Sequence, residues 1–261
     1  MKGKRRLPLV LALLLLLTLL PARATGTDRA NTLAAGGQAH SLAVQEDGTV
    51  LVWGDNSAGQ LGLGGDVAEI RKPTAVEGVS AVSVAAGEDF SAALRYDGAV
   101  YTWGHGVHAA PVQAAIDQVA AIAAGGEVVL ALKTDGTVWQ WTYGGAISRV
   151  SGLSRVAAIA TGGGHHLALT VRGEVWAWGK NDRGQLGDGT AVDRTAPVKV
   201  PGLVDVVDVA AGAAHSLAVT FDGRVYAWGS NDCGQLGHAE GDRWTPSEVV
   251  ELTKVVQVAA G

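Results

Sequence analysis

From about residue 31 onward the chain is a succession of short apolar runs separated by small polar clusters. Val50-Leu51-Val52-Trp53 and Val175-Trp176-Ala177-Trp178 are apolar at every position instead of at alternate ones. In these runs the apolar residues do not recur every three or four positions, so helices are not expected. Short runs apolar on both sides predict strands buried on both faces, which requires sheets stacked face to face. Between many of the runs stands an Asp-Gly pair: Asp47-Gly48, Asp97-Gly98, Asp135-Gly136 and Asp222-Gly223. Asp-Gly between apolar runs predicts a tight hairpin, because glycine takes a positive φ without steric cost. The fourth instance, Arg172-Gly173, keeps the glycine that the backbone needs.

The runs belong to a repeat. LAAGGQAHSLAV at 33–44 returns as VAAGEDFSAAL at 84–94, IAAGGEVVLAL at 122–132, IATGGGHHLAL at 159–169 and VAAGAAHSLAV at 209–219. VAAG then stands at 258–261. With Gly36, Gly87, Gly125, Gly162, Gly212 and Gly261 as markers, the spacings are 51, 38, 37, 50 and 49. The three long copies carry a GQLG loop, at Gly59, Gly184 and Gly234, and the two short copies lack it. Each copy reads as four short strands, in the fifth Ala196–Val200, Asp205–Ala211, His215–Thr220 and Arg224–Gly229. On this reading Pro73, Pro111, Pro197 and Pro246 open the first strand, where a missing N–H is tolerated. Radial repetition of four-stranded sheets is the β-propeller arrangement. The Ala-Ala-Gly triplets suit the crowded taper near its axis. The copies span about 31–84, 85–122, 123–159, 160–209 and 210–258, with the start of a further one at 259–261.

The first residues are set apart from this fold. Lys2, Lys4, Arg5 and Arg6 precede an apolar run from Leu7 to Leu20, then Pro21-Ala22-Arg23-Ala24. The run is short for a membrane span and matches a secretory signal at 1–24, cleaved after Ala24. The expected product is secreted and has no stable membrane insertion. Five of the 20 basic residues and none of the 25 acidic ones lie in that segment, which leaves 15 against 25 and a net charge of −10. Nucleic-acid affinity rests on Lys and Arg neutralising phosphates, so nucleic acid is not an expected partner. Cys233 is the single cysteine, which rules out an intramolecular disulfide. It occupies a place held by Ala58 and Arg183 in the sister loops, which argues against a catalytic thiol.

The pattern AAG-x-x-HS-LAV…DG-x-VYAWG-x-N-x-x-GQLG, clearest at 210–237 and 34–62, resembles the repeat of the regulator of chromosome condensation family. The resemblance implies a propeller whose family members have seven blades of four strands and serve as binding scaffolds. The family includes a nuclear nucleotide-exchange factor and a secreted bacterial inhibitor of β-lactamases built from short repeats. The two short copies here resemble the latter. Five marker intervals give about five blades, so the sequence is expected to be part of a seven-bladed ring, with a small five-bladed ring as the alternative.

Residues that recur from copy to copy are expected to be structural. Asn56, Asn181 and Asn231 would cap turns of the GQLG loops, and His40, His166 and His215 would hydrogen-bond a neighbouring blade. Calcium in the loops, through Asp188 and Asp193 or Asp55 and Asp66, is the rival reading, but the spacing matches no calcium motif and no metal or cofactor is expected. Trp53, Trp103, Trp141, Trp178 and Trp228 recur and belong to the core. The binding candidates are five residues at or beside departures from the repeat: Trp141 with Tyr143, His105 and His108 in the truncated loop of the second copy, and Trp244 in a polar loop. The expected function is a secreted, non-enzymatic binding module that recognises a protein or cell-envelope partner by loops on one face. The alternatives are an inhibitor of an extracellular hydrolase such as a β-lactamase, and a propeller lyase or lactonase.

Overall fold

The computed structural model describes residues 33–65, 67–239 and 241–261; the export signal expected at 1–24 lies outside them. Among the described residues, twenty strands form five separate four-stranded antiparallel sheets, and the fold is all-β. The first blade comprises β1 (Ala34–Gly36), β2 (His40–Val44), β3 (Thr49–Asp55) and β4 (Glu69–Ser80). The second comprises β5 (Ser83–Ala86), β6 (Phe90–Leu94), β7 (Val100–Gly104) and β8 (His108–Gln113). The third comprises β9 (Val119–Gly125), β10 (Val128–Lys133), β11 (Val138–Thr142) and β12 (Ser148–Arg149). The fourth is β13 (Val156–Thr161), β14 (His165–Thr170), β15 (Val175–Gly179) and β16 (Arg194–Lys199). The fifth is β17 (Val206–Ala211), β18 (His215–Thr220), β19 (Val225–Gly229) and β20 (Arg243–Glu248).

Strands pair in chain order within each blade, because a two-residue turn can only bring neighbours together. The turn between the second and third strands is the Asp-Gly hairpin: Gly48 has φ of 86°, and Asp47 Oδ1 accepts the Thr49 N–H at 2.9 Å. The proline strand closes a blade instead of opening one. Pro73, Pro111, Pro197 and Pro246 lie in β4, β8, β16 and β20, the outermost strands, whose free edge has no use for the missing donor.

The second, third and fourth blades are apolar on both faces because each is packed between two others. The buried side chains fall into four clusters, one at each contact between successive blades. Trp103 and Trp228 are fully buried in two of them. The innermost strands approach most closely where the small residues recur. A Cβ on Gly125 would lie 2.5 Å from the Gly162 carbonyl oxygen of the next blade. This is the crowding that excludes larger side chains at that position.

Candidate binding face

The turn between the first two strands of each blade lies beside the loop that follows the third. Asp55 N–H donates to Ala39 O at 2.9 Å, His105 N–H to Asp89 O at 2.7 Å, and Tyr143 N–H to Glu127 O at 3.0 Å. These segments therefore share one face of the molecule, opposite the Asp-Gly hairpins.

On that face the three GQLG loops have one construction. Asn56, Asn181 and Asn231 accept the Leu61, Leu186 and Leu236 N–H groups through Oδ1 at 2.9, 2.9 and 3.0 Å. Gln60, Gln185 and Gln235 accept the N–H of Ala58, Arg183 and Cys233 through Oε1. The turn itself uses only the backbone of that last position, whose side chain is an alanine, an exposed cysteine or Arg183, which pairs with Asp232 and, at 3.2 Å, with Asp242 in the fifth blade's loop. The carboxylates considered for calcium already have internal partners. Asp188 pairs with Arg194 at 2.7 Å, Asp193 accepts the Asn181 N–H at 2.7 Å, and Asp55 accepts Ser57 and Gln60 at 2.7 Å each. Burial works against the charge of Asp188, yet hydrogen bonds from Thr190 and Arg194 hold its carboxyl below the usual range. Asp66 lies outside the described residues.

The loops also lock one blade to the next. Ser91 Oγ donates to the Gln60 carbonyl at 2.7 Å, Trp103 Nε1 donates to the same oxygen at 2.9 Å, and His40 Nε2 meets Ser91 Oγ at 3.0 Å. Between the fourth and fifth blades Ser216, Trp228, Gln185 and His165 repeat the set at 2.8, 2.9 and 2.8 Å. Since the serine gives its proton to the carbonyl, the imidazole must donate through Nε2. Gly187 (φ 70°) leaves room for the indole: a Cβ there would sit 2.7 Å from Trp228 Nε1. The equivalent of His40 and His215 is thus His165, not His166. The glycine aligned with Gly87 is Gly37, not Gly36, since Gly37, Gly87, Gly162 and Gly212 each donate to the carbonyl three residues on. His166 occupies the serine position, bonds Thr161 at 2.7 Å and packs its ring, tilted by 47°, against Trp178 at 5.3 Å between centroids. Burial, with His166 and His215 nearby, pushes His165 down to about 3, and burial pushes His166 to about 4.

The second and third blades lack the loop, and their lock is apolar. Phe90 replaces the histidine and Val129 the serine, both fully buried in one cluster. With no GQLG loop above it, the ring of Tyr143 lies on Phe90 at 5.3 Å between centroids. His105 and His108 close around the same ring at 5.7 and 6.4 Å. Burial pushes the Tyr143 phenol up to about 12, a rise that Thr102 partly offsets. His105 sits at φ 51° in a tight turn, and the Gly106 N–H that follows donates to Ala58 O at 2.8 Å in the first blade's loop. An adjoining shallow cleft of about 420 Å³ is lined by Asn56, Ser57, Val67, Gly106, Val107 and Ala109. The structure thus gathers three of the five expected binding residues. Trp141 is not exposed: at 5% it belongs to the core between the second and third blades, where repeat and packing agree. Trp244, 46% exposed, stands apart on β20, its carbonyl accepting the Gly189 N–H at 2.9 Å. Among the described residues no three His, Cys, Asp or Glu side chains converge to hold a metal.

Two family models, both described as the regulator of chromosome condensation (RCC1) repeat, match the chain. One covers 47–94, 172–219 and 222–261, the other 32–60, 81–108, 156–185 and 206–235. The chain belongs to this family. The RCC1 matches leave out 109–155, which holds Tyr143 and the third blade. Over 93 residues the chain is 43% identical to the ultraviolet-B receptor UVR8 of Arabidopsis thaliana, and over 72 residues 44% identical to the human E3 ubiquitin-protein ligase HERC2. Those stretches are 35% and 27% of this chain but 21% and 2% of the relatives, so it spans a small part of their length. Among solved structures it resembles yeast Prp20p at TM-score 0.77 and 26% identity, over 87% of this chain and 67% of that one. Human WBSCR16 gives the same TM-score and identity, with 69% of its chain covered. Prp20p was described with its binding to Gsp1p and histones, and yeast RCC1 (Prp20) in complex with Kap60.

Proposed function

We propose that this RCC1-like propeller, a member of a family of protein-interaction modules, is exported and binds a protein partner across the second and third blades, through Tyr143, His105 and His108. The observation that carries the reading is the gathering of these three rings where the GQLG loops are missing. Elsewhere on that face the recurring Asn and Gln side chains of the loops are committed to capping their own turns. An aromatic anchor beside a shallow cleft and rimmed by Glu88, Asp89 and Glu127 suits a protein surface with an apolar centre and basic edge.

The test is capture from the extracellular fraction with the immobilised protein and with a Tyr143→Ala/His105→Ala variant. A partner retained by the first and lost by the second is expected. Equal retention by both places binding elsewhere, and retention of nothing defeats the reading. A narrower form, inhibition of an extracellular hydrolase such as a β-lactamase, draws on the two short blades and the net negative charge. Unchanged rates across a panel of such enzymes at micromolar protein would remove it.

A further inference from the structure

The interface between the first and second blades and that between the fourth and fifth correspond residue by residue. Gly64 N–H donates to Ala109 O at 2.8 Å, as Gly189 N–H does to Trp244 O at 2.9 Å. His108 stands opposite Gly104 across β7 and β8, as Arg243 stands opposite Gly229 across β19 and β20. A Cβ on Gly59 would sit 3.2 Å from Ala109 Cα, and one on Gly184 2.9 Å from Trp244 Cα. Ala109 therefore holds the place of Trp244, and Ala58, one residue before Gly59, holds that of Arg183.

Between the fourth and fifth blades these places are filled. The ring carbon Cγ of Trp244 lies 3.2 Å from where a Cβ on Gly184 would stand. Arg183 reaches Ser230 Oγ at 3.3 Å and pairs with Asp232 and Asp242 in the long loop of the fifth blade. Between the first and second blades all of this is cut back at once. The indole and the guanidinium become methyl groups, and the long loop becomes the turn His105-Gly106-Val107. The three reductions meet at one spot, since Ala58, Ala109 and Gly106 all line the cleft of about 420 Å³. That volume lies in the range of small-ligand clefts, about 300–1,000 Å³. Its walls offer methyl groups from Val107 and Ala109 and flat backbone at Gly59 and Gly106. Ser57, also in the wall, donates through Oγ to Asp55 at 2.7 Å and keeps lone pairs for an incoming N–H.

We propose that this cleft receives an aromatic side chain, an indole above all, presented by the protein partner in the place that Trp244 fills in the sister interface. The choice of occupant comes from the template. The same backbone, with Gly59 and Gly184 at φ of 77° and 75°, carries an indole wherever the strand supplies a tryptophan. The inference deepens the loop-face reading and rests on it for the partner. His105 and His108 face the Tyr143 ring while Gly106 and Val107 line the cleft, so one segment of a partner lies across both. A buried aromatic anchor beside an aromatic surface is the usual core of such contacts.

The first test needs no partner and uses indole alone as the probe. In isotope-labelled protein, indole at millimolar concentration should shift the amide resonances of Ser57, Gly59, Gly106 and Val107 saturably and leave the Asp-Gly hairpins unmoved. Ala109→Trp, copied from the sister strand, should weaken this binding by about tenfold or more. Ala58→Arg, copied from the sister loop, is a second block that leaves the strand intact. No shift with indole, or shifts that survive both variants, overturn the inference, and cyclohexanol binding as well as indole overturns its aromatic character. The capture experiment separates the two readings. A partner lost with Tyr143→Ala/His105→Ala but retained by Ala109→Trp overturns this inference and leaves the loop-face reading standing. Indole held in the cleft with nothing captured supports the aromatic site and defeats the loop-face reading.

Discussion

The blade lock can be dissected with a template that the protein itself contains. Between the fourth and fifth blades the buried pair is His165 and Ser216, and between the second and third the same positions hold Phe90 and Val129. Ser216→Val alone strands the His165 Nε2–H, since the imidazole is fully buried. A buried donor without a partner costs about 1–3 kcal/mol. His165→Phe alone keeps the Ser216 bond to the Gln185 carbonyl and forfeits about 1 kcal/mol. The double variant removes both polar groups and leaves that carbonyl its indole donor at 2.9 Å. It should fall within about 1 kcal/mol of the parent, giving a favourable coupling of about 1–3 kcal/mol. Urea unfolding followed by tryptophan fluorescence measures all four corners, provided the slope m is unchanged. If the double variant loses the sum of the two single losses, the hydrogen-bond account of the lock is wrong.

Other consequences follow from burial and close approach. His40, His165, His166 and His215 all have their imidazoles lowered, chiefly by burial. The unfolded chain therefore takes up protons first as pH drops. Stability should be full above pH of about 6.5 and fall toward pH 4, by up to about 1.4 kcal/mol per pH unit for each histidine. His165→Phe/Ser216→Val should lose less over that window, and an identical slope would refute the assignment. Gly125→Ala pushes a methyl against the Gly162 and Thr161 carbonyl oxygens, 2.5 and 2.8 Å away, and should cost about 1–3 kcal/mol in thermal or urea unfolding. Gly36→Ala meets nothing within 4 Å and should stay within about 0.5 kcal/mol. N-terminal sequencing of the exported protein should read from Thr25, and a chain retaining Met1 would refute export by this signal.

What sequence reasoning could reach was decided by how local each signal is. The hairpins were legible because Asp47-Gly48 and its sisters specify their own turn. The repeat was legible because every blade solves one packing problem with a small-residue triplet, Ala-Ala-Gly or in the fourth Ala-Thr-Gly, and a tryptophan. Phase was not: an antiparallel repeat reads the same wherever it is cut, so Pro197 was assigned to the start of a blade although β16 ends one. In His165-His166 both residues fit a histidine pattern, and only strand register separates the one that reaches Ser216 from the one that packs against Trp178. The lock itself, a hydroxyl 31 residues from the carbonyl it binds, has no local signature. Tyr143, His105 and His108 are each legible as departures from the repeat, but only the fold brings the three rings together. Trp141 fell within the same departure and is core, since the repeat fixes its place independently of the shortened loop.

The lock and the candidate site are two outcomes of one choice. A GQLG loop places a carbonyl oxygen over the blade interface, and that oxygen has to be satisfied, here by a serine and an indole. Once the loop is absent, the polar partners would be stranded, and an apolar pair takes their place. Phe90 and Val129 therefore go with the shortened loops, and Phe90 then offers a ring at the top of the interface on which Tyr143 rests. The aromatic surface on the loop face thus arises from the same substitutions that keep the second and third blades packed. Lengthening the His105–His108 turn into a GQLG loop without restoring histidine and serine beneath it would both cover Tyr143 and bury an unpaired carbonyl. The site and the packing under it have to change together.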